Sequence, residues 1–283
     1  CIRDSVYTPE APGRYLLKVR PVTEDGEPST LVAGFAFEAL PAGGTYGDAR
    51  IRAVGGSFQD ARIFRSRELA NLTGEEAAFL SGALGIATIY DLRTASEVAA
   101  HPEPYIVGMR TVALEPSTEH RRKDSDKRLI AGVIERYGEP EERMAAHYRR
   151  YVREYPLVGQ ALRSMAAEGR PALIHCVNGK DRTGVLCATL LRATGADEDA
   201  IMEDYLRVNT DHADLIAEEA AHLDGGMTDH ERSILMSFLE ARPAYLRAYF
   251  DEIDRLYGSF ATYLREGLHL TNEAIESLRA LVA

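Results

Sequence analysis

The sequence predicts an α/β protein: a three-layer core with a mostly parallel central sheet, a helical C-terminal half and a small N-terminal β extension. Three observations carry this expectation. From residue 50 on, short apolar runs alternate with helical patterns, as in strand–helix units. One of these runs, PALIHCV (171–177), passes straight into a charged loop and then a helical stretch. Beyond residue 195 every patterned segment has helical periodicity.

The elements follow in order. RYLLKVRPV (14–22) and TLVAGFAFEAL (30–40) have strand character, and the turn-rich TEDGEPS between them suggests a hairpin. PAGGTYGD (41–48) reads as a loop or linker, so residues 1–48 form a β extension or tether and 49–283 the main domain. Extra strands on the main sheet are the alternative reading of 1–48. ARIFRS (61–66), IATIYDLR (86–93) and RTVALEP (110–116) are strand candidates. Thr73 with Glu76, and Thr94 with Glu97, are spaced as capping boxes that open helices. EHRRKDSDKR (119–128) reads as a solvated loop that could steer an anionic substrate. EPEERMAAHYRRYVREY and PLVGQALRSMAAEG are helical patterns broken at Pro156, and TGVLCATLLRATG is a helix closing at Gly195.

Composition narrows the function. With 33 basic and 44 acidic residues the net charge is −11, which argues against nucleic acid as a partner. No apolar run is long enough to span a membrane. The three cysteines, Cys1, Cys176 and Cys187, offer neither a disulfide framework nor a zinc pattern. Cys187, inside VLCATLL, reads as a buried apolar residue, with a redox role as the alternative. The histidines are scattered, DHAD (211–214) and TDH (228–230) read as helix ends, and no metal or other cofactor is expected. Cys1 followed by a polar, proline-containing stretch reads as a lipid-bearing N-terminus or as a chance boundary. The matching expectations are a secreted or membrane-anchored lipoprotein, with a cytoplasmic protein as the alternative.

HCVNGKDRTG (175–184) carries the chemistry. The loop leaves the carboxyl end of a strand and enters a helix N-terminus, where backbone N–H groups and the helix dipole suit an anion. Gly179 and Gly184 permit close approach of the backbone, so Val177, Asn178, Gly179, Lys180, Thr183 and Gly184 are expected to line a phosphate cradle. Cys176 at its base is placed as a nucleophilic thiolate, and Arg182 can grip two phosphate oxygens. Thr183 can donate to the sulfur when it leaves the phosphoenzyme, and His175 orients the loop. Asp181 can protonate the leaving oxygen and then activate water, or else anchor the loop. Lys180, one of four lysines in the chain, suggests a substrate with additional phosphate groups.

These ten residues resemble the HCx5R signature of the protein tyrosine phosphatase superfamily. With GKDRTG they look most like the bacterial tyrosine and lipid phosphatases secreted by some intracellular pathogens. The lysine resembles that of the tumour-suppressor lipid phosphatases, and the aspartate that of the myotubularins. GGSFQDARIFRSREL (55–69), LGIATIYDLRTASEV (84–98), EDYLRVNT (203–210) and residues 245–282 extend the resemblance over roughly 50–283. It implies Cys176 as nucleophile, Arg182 as phosphate-binding residue, Asp181 as general acid, and a helical lid within about 197–240.

Two departures from the family pattern stand out. The Gly-rich turn that usually follows the stretch matching GGSFQDAR is absent, which alters one wall of the pocket. No WPD-type loop is evident, leaving Asp91 in IYDLR as a second acid candidate or a cap for the following helix. The expected reaction is hydrolysis of phosphotyrosine, with dual specificity allowed, and phosphoinositide as the alternative substrate. An inactive phosphate-binding adaptor would lack the Cys, Arg or Asp, and a rhodanese-like sulfur transferase would not need Asp181 or Thr183.

Overall fold

In the computed structural model the described residues are 13–19 and 33–39 (as backbone), 44–56, 58, 60–114, 140–154, 156–223 and 226–282. Strands Gly13–Val19 (β1) and Ala33–Ala39 (β2) pair antiparallel as a two-stranded sheet of their own. Cys1 and the 119–128 charge cluster, with the lipid and steering expectations attached to them, lie outside the described residues.

The main sheet has five strands: Arg52–Ala53 (β3), Ile63–Ser66 (β4), Thr88–Asp91 (β5), Arg110–Ala113 (β6) and Ala172–His175 (β7). Their order is β3-β4-β7-β5-β6, with β3 antiparallel to β4 and all other pairs parallel. Strand β7 is therefore central, and every residue in it is buried. Two-residue β3 escaped the sequence reading because no period shows in two residues.

Alternation along the strands feeds two cores, one on each face. Ile63, Tyr90, Ala172 and Ile174 point into the core beneath the helices, while Phe64, Ile89 and Leu173 point into a smaller one. The small core is closed by helix Gly74–Ala78 (α1) and the π-helical turn Phe79–Ala83 that continues it. Capping boxes form as the spacing predicts, at Thr73 for α1 and at Thr94 for Ala95–Ala100 (α2). Each such cap contributes about 1 kcal/mol.

The large core lies under helices Pro140–Glu154 (α3), Leu157–Glu168 (α4) and Asp181–Thr194 (α5). Helix α3 ends before Pro156 and α4 starts directly after it, because proline removes a backbone donor. Glu198–Asp211 (α6), Ala213–Leu223 (α7), Asp229–Leu239 (α8) and Pro243–Tyr257 (α9) follow. The continuous helical pattern after Pro243 is interrupted at Gly258, which has φ 73° and ends α9 in the left-handed region. A short helix, Phe260–Thr262, and the π-helical turn Tyr263–Gly267 then lead to the helix Asn272–Val282 (α10), which packs on α4 and α5.

Burial divides the segment expected to be a lid. Helix α6 buries Ile201, Asp204, Tyr205 and Val208 and belongs to the core. In α7 none of residues 213–222 is buried, and α8 buries only Ile234, Leu235 and Ser237. Within the expected lid segment, α6 is thus packed into the core while α7 and α8 are largely exposed.

Candidate active site

The loop 176–182 joins β7 to α5 at the carboxyl edge of the sheet. Its carbonyls turn outward onto protein donors. The Val177 carbonyl accepts from Glu68 N at 3.0 Å, the Gly179 carbonyl from Arg65 Nη2 at 2.7 Å, and the Lys180 carbonyl from Gly184 N at 2.9 Å. None of the backbone N–H groups of residues 177–183 has a hydrogen-bond partner among the described residues. Free donors gathered at a helix N-terminus suit an anion, and they come from Val177, Asn178, Gly179, Lys180 and Thr183 of the expected set, whereas the Gly184 N–H is spent on the Lys180 carbonyl.

The turn requires Gly179, whose φ is 62°; a Cβ there would lie 2.3 Å from the Ser66 carbonyl oxygen. Arg65 secures the same turn from β4. Its charge is matched by Asp204 of α6, with Arg65 Nη1 donating to Asp204 Oδ2 at 2.8 Å, and Arg52 shares that carboxylate. Burial alone would raise the Asp204 carboxyl, but the two guanidinium groups hold it below the usual range.

Cys176 sits at the base of the cradle, 3% exposed. Arg182 lies within electrostatic reach of it. Burial alone would lower the Arg182 guanidinium, but the Cys176 sulfur and the Glu97 carboxylate raise it. Arg182 Nη1 and Nη2 donate to the two Glu97 oxygens at 2.6 and 2.8 Å, and Nη1 also donates to the Leu92 carbonyl. The guanidinium is thus fixed in orientation. Thr183 Oγ1 is buried and without a partner among the described residues, leaving its hydroxyl available.

Asp181 opens α5 and accepts from the Tyr148 hydroxyl at 2.8 Å. Its neighbour Lys180 departs from expectation. That side chain is 3% exposed and donates to the carbonyls of Phe238 and Glu240 at the end of α8. It covers the C-terminus of α8 instead of standing free for a second phosphate. Burial pushes its ammonium down, against the opposing pull of Asp181 and Cys176.

His175 and Asp91 lie behind the loop. His175 Nδ1 faces the Cys176 carbonyl at 3.3 Å, while Nε2 faces Glu103 at 3.5 Å and Asp91 at 3.8 Å. Arg93 bridges both carboxylates, so Asp91, Glu103 and His175 form a compensated cluster and not a bare acidic one. Asp91 is no cap for α2, since Thr94 holds that position. Burial would raise its carboxyl, but hydrogen bonds from Arg93, and the electrostatic influence of His175 and Arg93, hold it low. An ionised, buried group already bonded to Arg93 is poorly placed to donate a proton, and that weakens Asp91 as an acid. Cys187 is fully buried and free, its thiol pushed up to about 12 by burial, as suits the apolar reading.

Several site residues were not visible as such in the sequence. Glu97 was read only as the N3 residue of a capping box, a role it keeps while also holding Arg182. Glu103, Arg65, Asp204 and Tyr148 carry no local signature of their partners, which lie far along the chain. The one available signal was that Arg65 and Asp204 fall in the quoted stretches IFRS and EDYLRVNT.

Residues 46–283 match the model of a tyrosine phosphatase family. The chain is 31% identical over 261 residues to the triple specificity protein phosphatase PtpB of Mycobacterium tuberculosis, covering 82% of this chain and 94% of that protein. It is 29% identical over 176 residues to a tyrosine-protein phosphatase of Nostoc commune, covering 62% and 58%. Among solved structures it resembles TpbA of P. aeruginosa with a TM-score of 0.34 and 20% identity, over 69% of this chain and 98% of that one. At that TM-score the fold is read from the strand order and not from the neighbour. The matched span takes in the five-stranded sheet, the cysteine loop and every helix among the described residues, and by it the chain belongs to the tyrosine phosphatase family.

Proposed function

We propose that the protein hydrolyses phosphotyrosine through a phosphocysteine intermediate, with Cys176, Arg182 and Asp181 as the reacting set. The observation that carries this is the depth of Cys176, 3% exposed beneath a ring of free N–H donors. A nucleophile so placed favours a phosphate carried on a long, flat arm, as on tyrosine, over one on the short side chain of serine.

In the first step the Cys176 sulfur attacks phosphorus and the ester oxygen leaves with the Asp181 proton. The loop N–H groups and Arg182 hold the equatorial oxygens as charge builds there. In the second step Asp181, now a carboxylate, takes a proton from water, which attacks phosphorus. Sulfur departs, stabilised by the Thr183 hydroxyl, and inorganic phosphate is released.

Phosphoinositide hydrolysis by the same steps is a second reading, drawn from the extra cation Lys180. It requires α8 to withdraw, because Lys180 now faces the Phe238 and Glu240 carbonyls. A panel of phosphotyrosine peptides, phosphoserine peptides and phosphoinositides, assayed on wild type and Lys180→Ala, tests both. We expect phosphotyrosine to give the highest kcat/KM. Selective loss of phosphoinositide turnover in Lys180→Ala would support the second reading. A preference for phosphoserine would overturn the first.

A further inference from the structure

Tyr148 on α3 lies beneath the loop and is fully buried. Its hydroxyl donates to Asp181 Oδ1 at 2.8 Å and meets the Tyr205 hydroxyl of α6, also at 2.8 Å. Lys180 Nζ stands 3.7 Å from the same Oδ1. We propose that Tyr148, held in place by Tyr205, is the positioning residue for Asp181. It ties down Oδ1 and leaves Oδ2 to carry the proton given to the leaving oxygen. This rests on the reading of Asp181 as the general acid.

Hydrogen-bond direction supports the assignment. Burial first, and then the charge of Asp181, raises both phenols well above their usual range, so each keeps its proton. A phenol has one proton to donate. Tyr148 directs its own to Asp181, so Tyr205 is left as the donor to Tyr148. The chain of donors runs Tyr205 to Tyr148 to Asp181. It leaves Oδ1 with two cationic or polar donors, while Oδ2 has no partner among the described residues.

Packing makes the chain rigid. The Tyr148 ring lies edge-on to Tyr151 and Tyr205, at centroid distances of 5.4 and 6.2 Å. The Tyr205 ring closes against Gly184 of α5, where a Cβ would stand 3.1 Å from two ring carbons. Helices α3, α5 and α6 thus meet at these hydroxyls, and Asp181 is aimed by groups that cannot readily move.

The test measures kcat/KM for aryl phosphates of increasing leaving-group basicity, from 4-nitrophenyl to phenyl phosphate. The proteins are wild type, Tyr148→Phe, Asp181→Asn and the double variant. A general acid matters most when the leaving oxygen is most basic. Tyr148→Phe is expected to lose about tenfold on phenyl phosphate but only about threefold or less on 4-nitrophenyl phosphate. Asp181→Asn should lose more, with the same trend, and the double variant should match Asp181→Asn alone. An equal loss by Tyr148→Phe across the series would overturn the proposal. So would multiplicative losses in the double variant. If Asp181→Asn itself loses equally across the series, the reading of Asp181 as acid fails, and the positioning role falls with it. Tyr205→Phe, which keeps Tyr148, should shift in the same direction by less, and it carries the test if Tyr148→Phe does not fold.

Discussion

Both terminal nitrogens of Arg182 rest on the carboxylate of Glu97, at 2.6 and 2.8 Å. A guanidinium held on one side by a bidentate ion pair presents its remaining donors in a fixed direction. Glu97→Gln keeps the size and the acceptor for the Thr94 backbone N–H, bonded at 2.9 Å, but loses the charge. Loss of an outer partner that orients a binding group typically costs about 10–100-fold in affinity or activity. We expect that fall, with a parallel weakening of competitive inhibition by vanadate. Full activity with unchanged vanadate affinity would show that the pair does not orient Arg182.

The contact of Lys180 with the Phe238 and Glu240 carbonyls ties the phosphate loop to α8. Lys180→Met removes the donors at nearly constant volume. Hydrogen bonds to a charged group contribute about 1.5–3 kcal/mol, so backbone amide exchange across 229–239 should quicken by about tenfold or more. Exchange in α4 should not change. Equal protection of α8 in the two proteins would remove Lys180 as its anchor.

Asp204 faces two buried guanidinium groups, Arg52 and Arg65. Asp204→Asn removes the carboxylate that pairs with Arg65 and leaves Arg52 only Asp211 among the described residues, at 2.9 Å, and breaking a buried pair by removing one partner costs about 3–5 kcal/mol. Urea unfolding should show a midpoint lowered accordingly with an unchanged slope. The same substitution loosens Arg65 from the Gly179 carbonyl, so activity should fall even where the protein stays folded. A stability change below about 1 kcal/mol would mean that solvent already screens the network.

His212, between α6 and α7, is buried, and burial together with Arg67, Arg65, Arg50 and Arg52 lowers its imidazole to about 3. Unfolded, it titrates near its ordinary value of about 6.5. Between those values the unfolded chain binds a proton that the folded one does not. Stability from this group is therefore complete above about pH 6.5 and is lost as pH falls toward 3, by up to about 1.4 kcal/mol per unit. That corresponds to about 2–4 °C in Tm per unit for a domain of this size. His212→Gln should show a shallower fall in Tm between pH 6.5 and 5 than wild type. Parallel curves would contradict the assignment.

The fold was legible where it depends on local pattern. The strands of β4, β5, β6 and β7 have continuous apolar or alternating runs, and the capping boxes at Thr73 and Thr94 state their helix starts in four residues. The Cys176-to-Arg182 loop was legible for the same reason, since nucleophile, turn glycine and clamp sit within one short stretch. What pairs across the chain was not. Arg65 meets Asp204 over a separation of 139 residues, and Tyr148 meets Asp181 over 33, and no periodicity encodes either contact. Lys180 was misplaced for a related reason. Its charge suggested a second phosphate, but its direction is set by helix-end carbonyls at 238 and 240 that sequence spacing cannot bring near.

The central claim is that Cys176 forms a covalent phosphoenzyme without help from a metal ion. The direct measurement is turnover of 4-nitrophenyl phosphate by wild type and Cys176→Ser in EDTA, with rapid acid quench and mass analysis of the wild-type chain. The account predicts activity that survives EDTA, disappears in Cys176→Ser, and leaves a phosphoryl group on the peptide containing Cys176. Activity that is lost with EDTA and restored by a divalent metal, or that persists in Cys176→Ser, would contradict it.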